Sequence, residues 1–91
     1  MNKFDEILEA IVSAYCPLLS TVAASMINDD IALQEDEFAV DSFLQFTLLE
    51  RIDLPDGLVD DIEAEVHAGW DPELTERTLG WIAKHRAKNA A

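Results

Sequence analysis

The sequence predicts an all-α protein, a small bundle of four main helices with one long loop before the second of them. Apolar residues recur at helical spacing in several segments, and no segment sustains the polar-apolar alternation of a strand. The 91 residues include only 3 Gly and 3 Pro and are 49% hydrophobic, which favours a compact chain despite a net charge of −13. Residues 1–91 are therefore interpreted as one domain.

The first helix is predicted over residues 4–15. It ends at Cys16-Pro17, because proline removes a backbone donor and disfavours helix in the residue before it. A second short helix is predicted up to about Ile27, although the sequence leaves open whether residues 17–27 form a separate helix. The apolar residues behind these two predictions are Phe4, Ile7, Leu8, Ile11, Val12 and Tyr15 for the first helix and Leu18, Val22 and Met26 for the second.

A long acidic loop is predicted next, because Asn28-Asp29-Asp30 is a cluster of turn-forming residues. The loop is expected to reach Val40 and to lead into a helix over Ser42–Ile52. Functional residues often lie on such loops, so the junction between this loop and the following helix is a candidate site.

Two further helices are predicted after a loop over residues 53–57. The first is short, covers residues 58–66, and is closed by Gly69, a residue suited to a left-handed C-cap. The last begins at Asp71-Pro72, an N-cap followed by proline at the first helical position.

The negative charge is concentrated in the middle of the chain. Residues 28–65 contain 13 Asp or Glu and one basic residue, Arg51, a net charge of −13 + 1 = −12. Such a surface repels nucleic acid and anionic lipid and attracts basic protein surfaces. A face that only keeps the protein soluble is the alternative.

Other features of the chain indicate a cytoplasmic monomer. No apolar run approaches the roughly 18 residues of a membrane span, and Met1-Asn2-Lys3 leads into an acidic amphipathic segment without a secretory apolar region. The single cysteine, Cys16, is interpreted as a small buried hydrophobic residue and not as a reactive thiol.

Catalytic and metal-binding patterns are missing from the sequence, so we expect no enzyme and no metal site. His67 has Glu63 one helical turn before it, but a single His/Glu pair does not make a site. His67 and His85 are both predicted to be ordinary surface or helix-end residues.

Ser42 has two interpretations. With Gln45 three residues later it matches a capping box, in which Asp41 could replace it as the cap. Alternatively, a serine hydroxyl at the positive end of a helix, beside an acid, can carry a covalently attached phosphate. The adjacent Phe43 falls on the polar arc of the predicted helix, where it is either exposed to a partner or covered by the loop.

The segment Phe38-Ala39-Val40-Asp41-Ser42-Phe43 resembles the Leu-Gly-x-Asp-Ser-Leu signature of acyl carrier proteins. The order of helices, the chain length, the acidity and the turn Leu54-Pro55-Asp56 are also similar to that family. The chain departs from it at Ala39, where glycine is usual, at Phe43, where leucine is usual, and in the short interval of 13 residues from Ser42 to Pro55.

The resemblance implies a carrier that holds acyl or aminoacyl groups as thioesters on a covalent 4′-phosphopantetheine arm. Ser42 would be the attachment point and Asp41 would assist its recognition by a phosphopantetheinyl transferase. Phe43, Glu50 and Arg51 would face that enzyme and the acyl-loading and chain-processing enzymes of fatty-acid, polyketide or related biosynthesis. The alternative function is an unmodified acidic helical adaptor that binds a basic protein partner.

Overall fold

The structure, a computed structural model, describes residues 2–91, which form five α-helices and no strand. The predicted all-α class is therefore confirmed, but there are five α-helices and not the predicted four main helices. The helices are α1 (Lys3–Ala10), α2 (Thr21–Ala32), α3 (Asp36–Leu49), α4 (Asp56–His67) and α5 (Pro72–Ala90). Across residues 2–91, none of the helices combines the length and apolar composition that crossing a membrane requires.

The first helical segment agrees with the prediction for residues 4–15. Asn2 caps it, since its side-chain oxygen accepts a hydrogen bond from Asp5 N at 2.8 Å. After α1 the backbone widens to a π-helix over Ile11–Tyr15, then tightens to a 3-10 turn over Cys16–Leu18 that contains Pro17. Cys16 is buried as predicted, and burial raises the pKa of its thiol.

The predicted loop over residues 28–40 is wrong, because helix occupies most of it. Ser20 caps α2 with its hydroxyl, and the helix continues past Ile27 to Ala32. Gln34, at φ 61°, then reverses the chain, and Glu35 N donates to Asp30 O at 2.8 Å. This is the Schellman arrangement, formed here without the glycine that usually marks it in a sequence.

Helix α3 begins at Asp36, six residues before the predicted start at Ser42. Two acids in its first turn, Asp36 and Glu37, suit the positive end of the helix. A second left-handed residue, Arg51 at φ 60°, ends it, and Ile52 N donates to Thr47 O at 2.8 Å. The α2–α3 hairpin thus replaces the short helix and long loop that the sequence predicted.

The C-terminal half agrees with the prediction, except that α4 begins at Asp56, inside the loop predicted over residues 53–57. Helix α4 contains the expected short element, and it is followed by Gly69 at φ 133°, a backbone conformation that other residues rarely adopt. Asp71 caps α5 by accepting hydrogen bonds from Glu73 N at 3.0 Å and Leu74 N at 3.4 Å. Pro72 is the first helical residue, as expected.

Helix α4 packs on α5 and α1. Helix α3 lies between α2 and α5 and packs on both. Its buried face is rich in apolar side chains, and α1, α2 and α4 surround this core with aliphatic residues. The fully buried apolar residues of the centre are Ile11, Ala23, Ile27, Ala39, Val40, Phe43, Leu44, Val59 and Ile62.

Candidate functional site

Ser42 is the seventh residue of α3 and does not stand at a helix start. The capping-box interpretation of Ser42 with Gln45 is therefore wrong. Ser42 and Gln45 are half-buried and share the outward face of α3 with two exposed apolar residues, Phe38 and Leu49, because the spacing 38, 42, 45, 49 follows the turn of an α-helix. The serine thus lies on a side of the helix that is partly open to solvent.

The surroundings of Ser42 do not fit the attachment of 4′-phosphopantetheine in the way that the resemblance implies. The free backbone N–H groups and the positive dipole end of a helix are confined to its first turn. In α3 that turn is formed by residues 36–39, and already Ala39 N donates to Glu35 O at 3.0 Å. A phosphate on Ser42 would lie beyond this turn, without the stabilisation that the predicted helix start would supply.

Asp41 is buried and bound by α5, which corrects its predicted role in transferase recognition. Arg77 Nε and Nη2 donate to Asp41 Oδ2 at 3.0 and 2.8 Å, and Thr78 Oγ1 donates to Asp41 Oδ1 at 2.8 Å. Asp41 is 1% exposed. Its carboxylate therefore joins α3 to α5 and is not presented to another protein.

Phe43 is also in the core, so its predicted place on a partner-facing surface is wrong. Its side chain is 0% exposed, and its ring meets Tyr15 edge to face with centroids 5.4 Å apart. Because α3 starts at Asp36, Ala39 and Val40 are helical and define a buried face that includes Phe43. The predicted helix begins at Ser42 and so leaves out Ala39 and Val40, which is why Phe43 falls on its polar side.

Glu50 and Arg51 both have structural roles at the end of α3. Glu50 Oε1 accepts from Ser20 N and Glu50 Oε2 from Ser20 Oγ, both at 2.6 Å, so Glu50 closes the open end of the hairpin at the N-terminus of α2. Arg51 is exposed, as predicted, but its left-handed backbone ends α3. The five residues predicted as one site are thus divided between the core, the two faces of α3 and a helix end.

His85 is buried between α5 and α3, contrary to its prediction as a surface or helix-end residue. Its Nε2 lies 2.9 Å from Leu44 O and 3.1 Å from Thr47 Oγ1, so Nε2 carries the proton that the carbonyl oxygen accepts. Nδ1 is buried without a hydrogen-bond partner among the described residues. Burial lowers the pKa of His85 below its ordinary value of 6.5, and the nearby Lys88 ammonium acts in the same direction.

We expect the stability of the protein to fall as the pH decreases through about 6.5, because unfolded His85 then binds a proton more readily than folded His85 does. Above that pH this contribution to stability is fully present. Urea unfolding midpoints at pH 7.5, 6.5 and 5.5 measure the effect, and His85→Gln should flatten the decline. His67→Gln is the matched control, since the His67 side chain is exposed. An equally steep decline in the His85→Gln variant would contradict the assignment.

In the described residues, some acidic side chains form ion pairs and others lie in a part of the chain without basic residues. The ion pairs use acids that lie on α1, on α4, in the loop before α4, or at the buried position Asp41. Residues 16–50 contain seven Asp or Glu and no Lys, Arg or His. We name the acids around the α2–α3 turn the acidic tip. It consists of Asp29, Asp30, Glu35, Asp36 and Glu37, and no ion pair to any of them is found in residues 2–91.

Within residues 2–91, no group of three or more His, Cys, Asp or Glu is close enough together to hold a metal ion. Comparison of the sequence and structure with protein-family models, curated proteins and solved structures finds no match. A functional interpretation therefore depends on the geometry, and the acidic tip is the candidate site that it favours.

Proposed function

We propose that this chain is an acidic helical adaptor that binds a basic surface of a partner protein through its α2–α3 hairpin. The observation that carries the proposal is the acidic tip, five carboxylates within nine residues of sequence that are not paired with a cation in the described part of the chain. The basic residues of the other helices are engaged elsewhere, as Arg77 is with Asp41 and Arg86 is with Asp60 and Glu63.

Two acids of the tip occupy an unfavourable position within the hairpin. Asp29 and Asp30 lie in the C-terminal part of α2, near the negative end of its dipole, where the last turn contains no basic residue. A negatively charged side chain near the negative end of a helix dipole destabilises the helix, typically by about 0.3–1 kcal/mol. A lysine or arginine of a partner would relieve this repulsion, and a strongly acidic surface also accelerates the encounter with a basic one.

The test is to isolate the partner from the native host with the wild-type chain and to measure the affinity of the purified pair at increasing salt. We expect the dissociation constant to rise about tenfold between 50 and 200 mM salt, because exposed charges are screened over this range. Asp29→Asn/Asp30→Asn should bind several-fold more weakly at 50 mM salt and show a smaller salt dependence.

The control variant is Glu9→Gln/Glu76→Gln, which changes the net charge by the same amount at exposed acids on α1 and α5. It should bind like the wild type. If both double variants weaken binding equally, net charge and not the tip attracts the partner. An affinity that does not change with ionic strength would reject the adaptor proposal.

The carrier function implied by the resemblance stays a prediction. The Asp41-Ser42 pair and the place of Ser42 on the outward face of α3 favour it, whereas the position of Ser42 inside the helix and the burial of Asp41 speak against it. Co-expression with a broad-specificity phosphopantetheinyl transferase, followed by intact-mass measurement, tests it. A mass gain in the wild type that Ser42→Ala loses would replace the adaptor proposal with the carrier, and an unmodified chain would leave the carrier without support.

A further inference from the structure

Helix α2 and its flanking residues expose a row of large apolar side chains. Leu18 is 63%, Val22 is 69%, Met26 is 50% and Leu33 is 70% exposed. The spacing 22, 26, 33 places three of them on one side of the helix, and Leu18 lies before the helix, at the end of the 3-10 turn Cys16–Leu18. The buried residues Ala23 and Ile27 each follow a stripe residue by one position, about 100° further around the helix, and face the core. We name Leu18, Val22, Met26 and Leu33 the apolar stripe.

The stripe is more than a scatter of single exposed apolar residues. Four of the seven large hydrophobic residues that the described chain exposes belong to it. Val22 and Met26 lie on α2, Leu33 is the C-cap of that helix, and Leu18 ends the turn before it. A row of exposed large apolar side chains of this kind is typical of protein interaction sites. From Val22 to Leu33 it extends about 17 Å at the helical rise of about 1.5 Å per residue, or about three turns of a helix lying alongside it.

Charge determines which partner fits the stripe. Asp29 lies within the row, between Met26 and Leu33, and Asp30 and the rest of the acidic tip adjoin its C-terminal end. Its N-terminal end adjoins Ser20, where the Glu50 carboxylate is bound. An occupant must therefore combine apolar side chains with positive charge.

A second copy of this chain does not meet that requirement. If two stripes paired side by side in the same direction, the two acidic tips would meet, and in the opposite direction each tip would meet the Glu50 end of the other copy. Residues 16–50 contain no basic residue, and Arg51 beside Glu50 would set one cation against the five acids of each tip. Like charges opposed across an interface are unfavourable, so charge argues against self-association through this face.

We infer that the apolar stripe is the docking site for an amphipathic helix of the partner, with apolar anchors at helical spacing and Lys or Arg beside them. This inference rests on the proposed function and specifies its partner. Such a helix would place its apolar side chains against Val22 and Met26 and its cations against the acidic tip. The arrangement follows the general mode in which an amphipathic helix binds through anchors at i, i+3, i+4 and i+7.

The test uses three synthetic 18-residue peptides as probes: a Leu/Lys peptide with helical spacing, a scrambled peptide of the same composition, and a Leu/Glu peptide with the original spacing. Isothermal titration calorimetry against the full chain should show binding of the first, at least fivefold weaker binding of the second and none of the third. Val22→Ser should weaken binding of the first peptide about fivefold, and Val22→Ser/Met26→Ser about tenfold or more.

Val12→Ser is the matched control, since Val12 is 40% exposed on the π-helical segment, outside the stripe. It should bind the peptide like the wild type, and circular dichroism should show that all variants are folded. Equal binding by the Val22→Ser and Val12→Ser variants, or equal affinity for the scrambled peptide, would overturn the stripe assignment. The adaptor proposal would survive that result if Asp29→Asn/Asp30→Asn still weakened binding. Loss of any difference between that variant and Glu9→Gln/Glu76→Gln would reject the proposed function itself.

Discussion

Replacing Phe43 with alanine is expected to lower the free energy of unfolding by about 3–5 kcal/mol, the usual cost of deleting a buried aromatic side chain. Phe43 is fully buried, and its ring packs edge to face on Tyr15. The substitution removes the transfer free energy of the ring and leaves a cavity between α3 and the π-helical segment that contains Tyr15. Urea denaturation followed by circular dichroism measures the loss.

Phe38→Ala is the matched control for Phe43, because it makes the same substitution in the same helix at a side chain that is 48% exposed. We expect it to cost less than half as much, in proportion to its smaller buried surface. A Phe43→Ala variant that kept wild-type stability and lost partner binding would restore the sequence-based interpretation of Phe43 as a docking residue.

The second large effect is expected at Arg77, whose replacement with alanine should cost about 3 kcal/mol. The guanidinium is half exposed, but the Asp41 carboxylate that it binds is buried. Removing the arginine leaves that carboxylate with the Thr78 hydroxyl as its remaining hydrogen-bond donor. The cost arises from a buried charge that has lost its partner, as is usual when one member of such a pair is deleted.

A double-mutant cycle separates this cause from a general loss of packing. Adding Asp41→Asn to Arg77→Ala should recover part of the lost stability, because a neutral amide is less costly to bury than a carboxylate without its cation. Arg77→Lys should fall between the wild type and Arg77→Ala, since it keeps the charge without the two donors that approach Asp41 Oδ2. Strictly additive effects of Asp41→Asn and Arg77→Ala would show that the pair does not act as a unit.

The functional residues predicted from the sequence are the part that the structure changed most. The sequence points to the Asp41-Ser42 pair because a predicted loop meets a predicted helix there. That inference depended on the helix boundary, which is the least reliable part of a sequence-based prediction. The acidic tip could be predicted in part, because the excess of Asp and Glu is visible in the composition of residues 28–65. The stripe was visible only as the spacing of Leu18, Val22 and Met26, a pattern that equally fits a buried helix face.

The sequence by itself determined the helical class, the first helix and both C-terminal helices, because their signals are local. Periodic apolar residues define α1, and Asp71-Pro72 and Gly69 mark helix ends through backbone preferences that do not depend on distant contacts. Only the tertiary structure decided the α2–α3 hairpin. Its turn places Gln34 in a left-handed conformation, which glutamine rarely adopts and which the sequence therefore does not indicate. The same holds for the burial of Asp41 and His85. Their partners Arg77 and Leu44 lie 36 and 41 residues away, and packing between helices chooses such contacts.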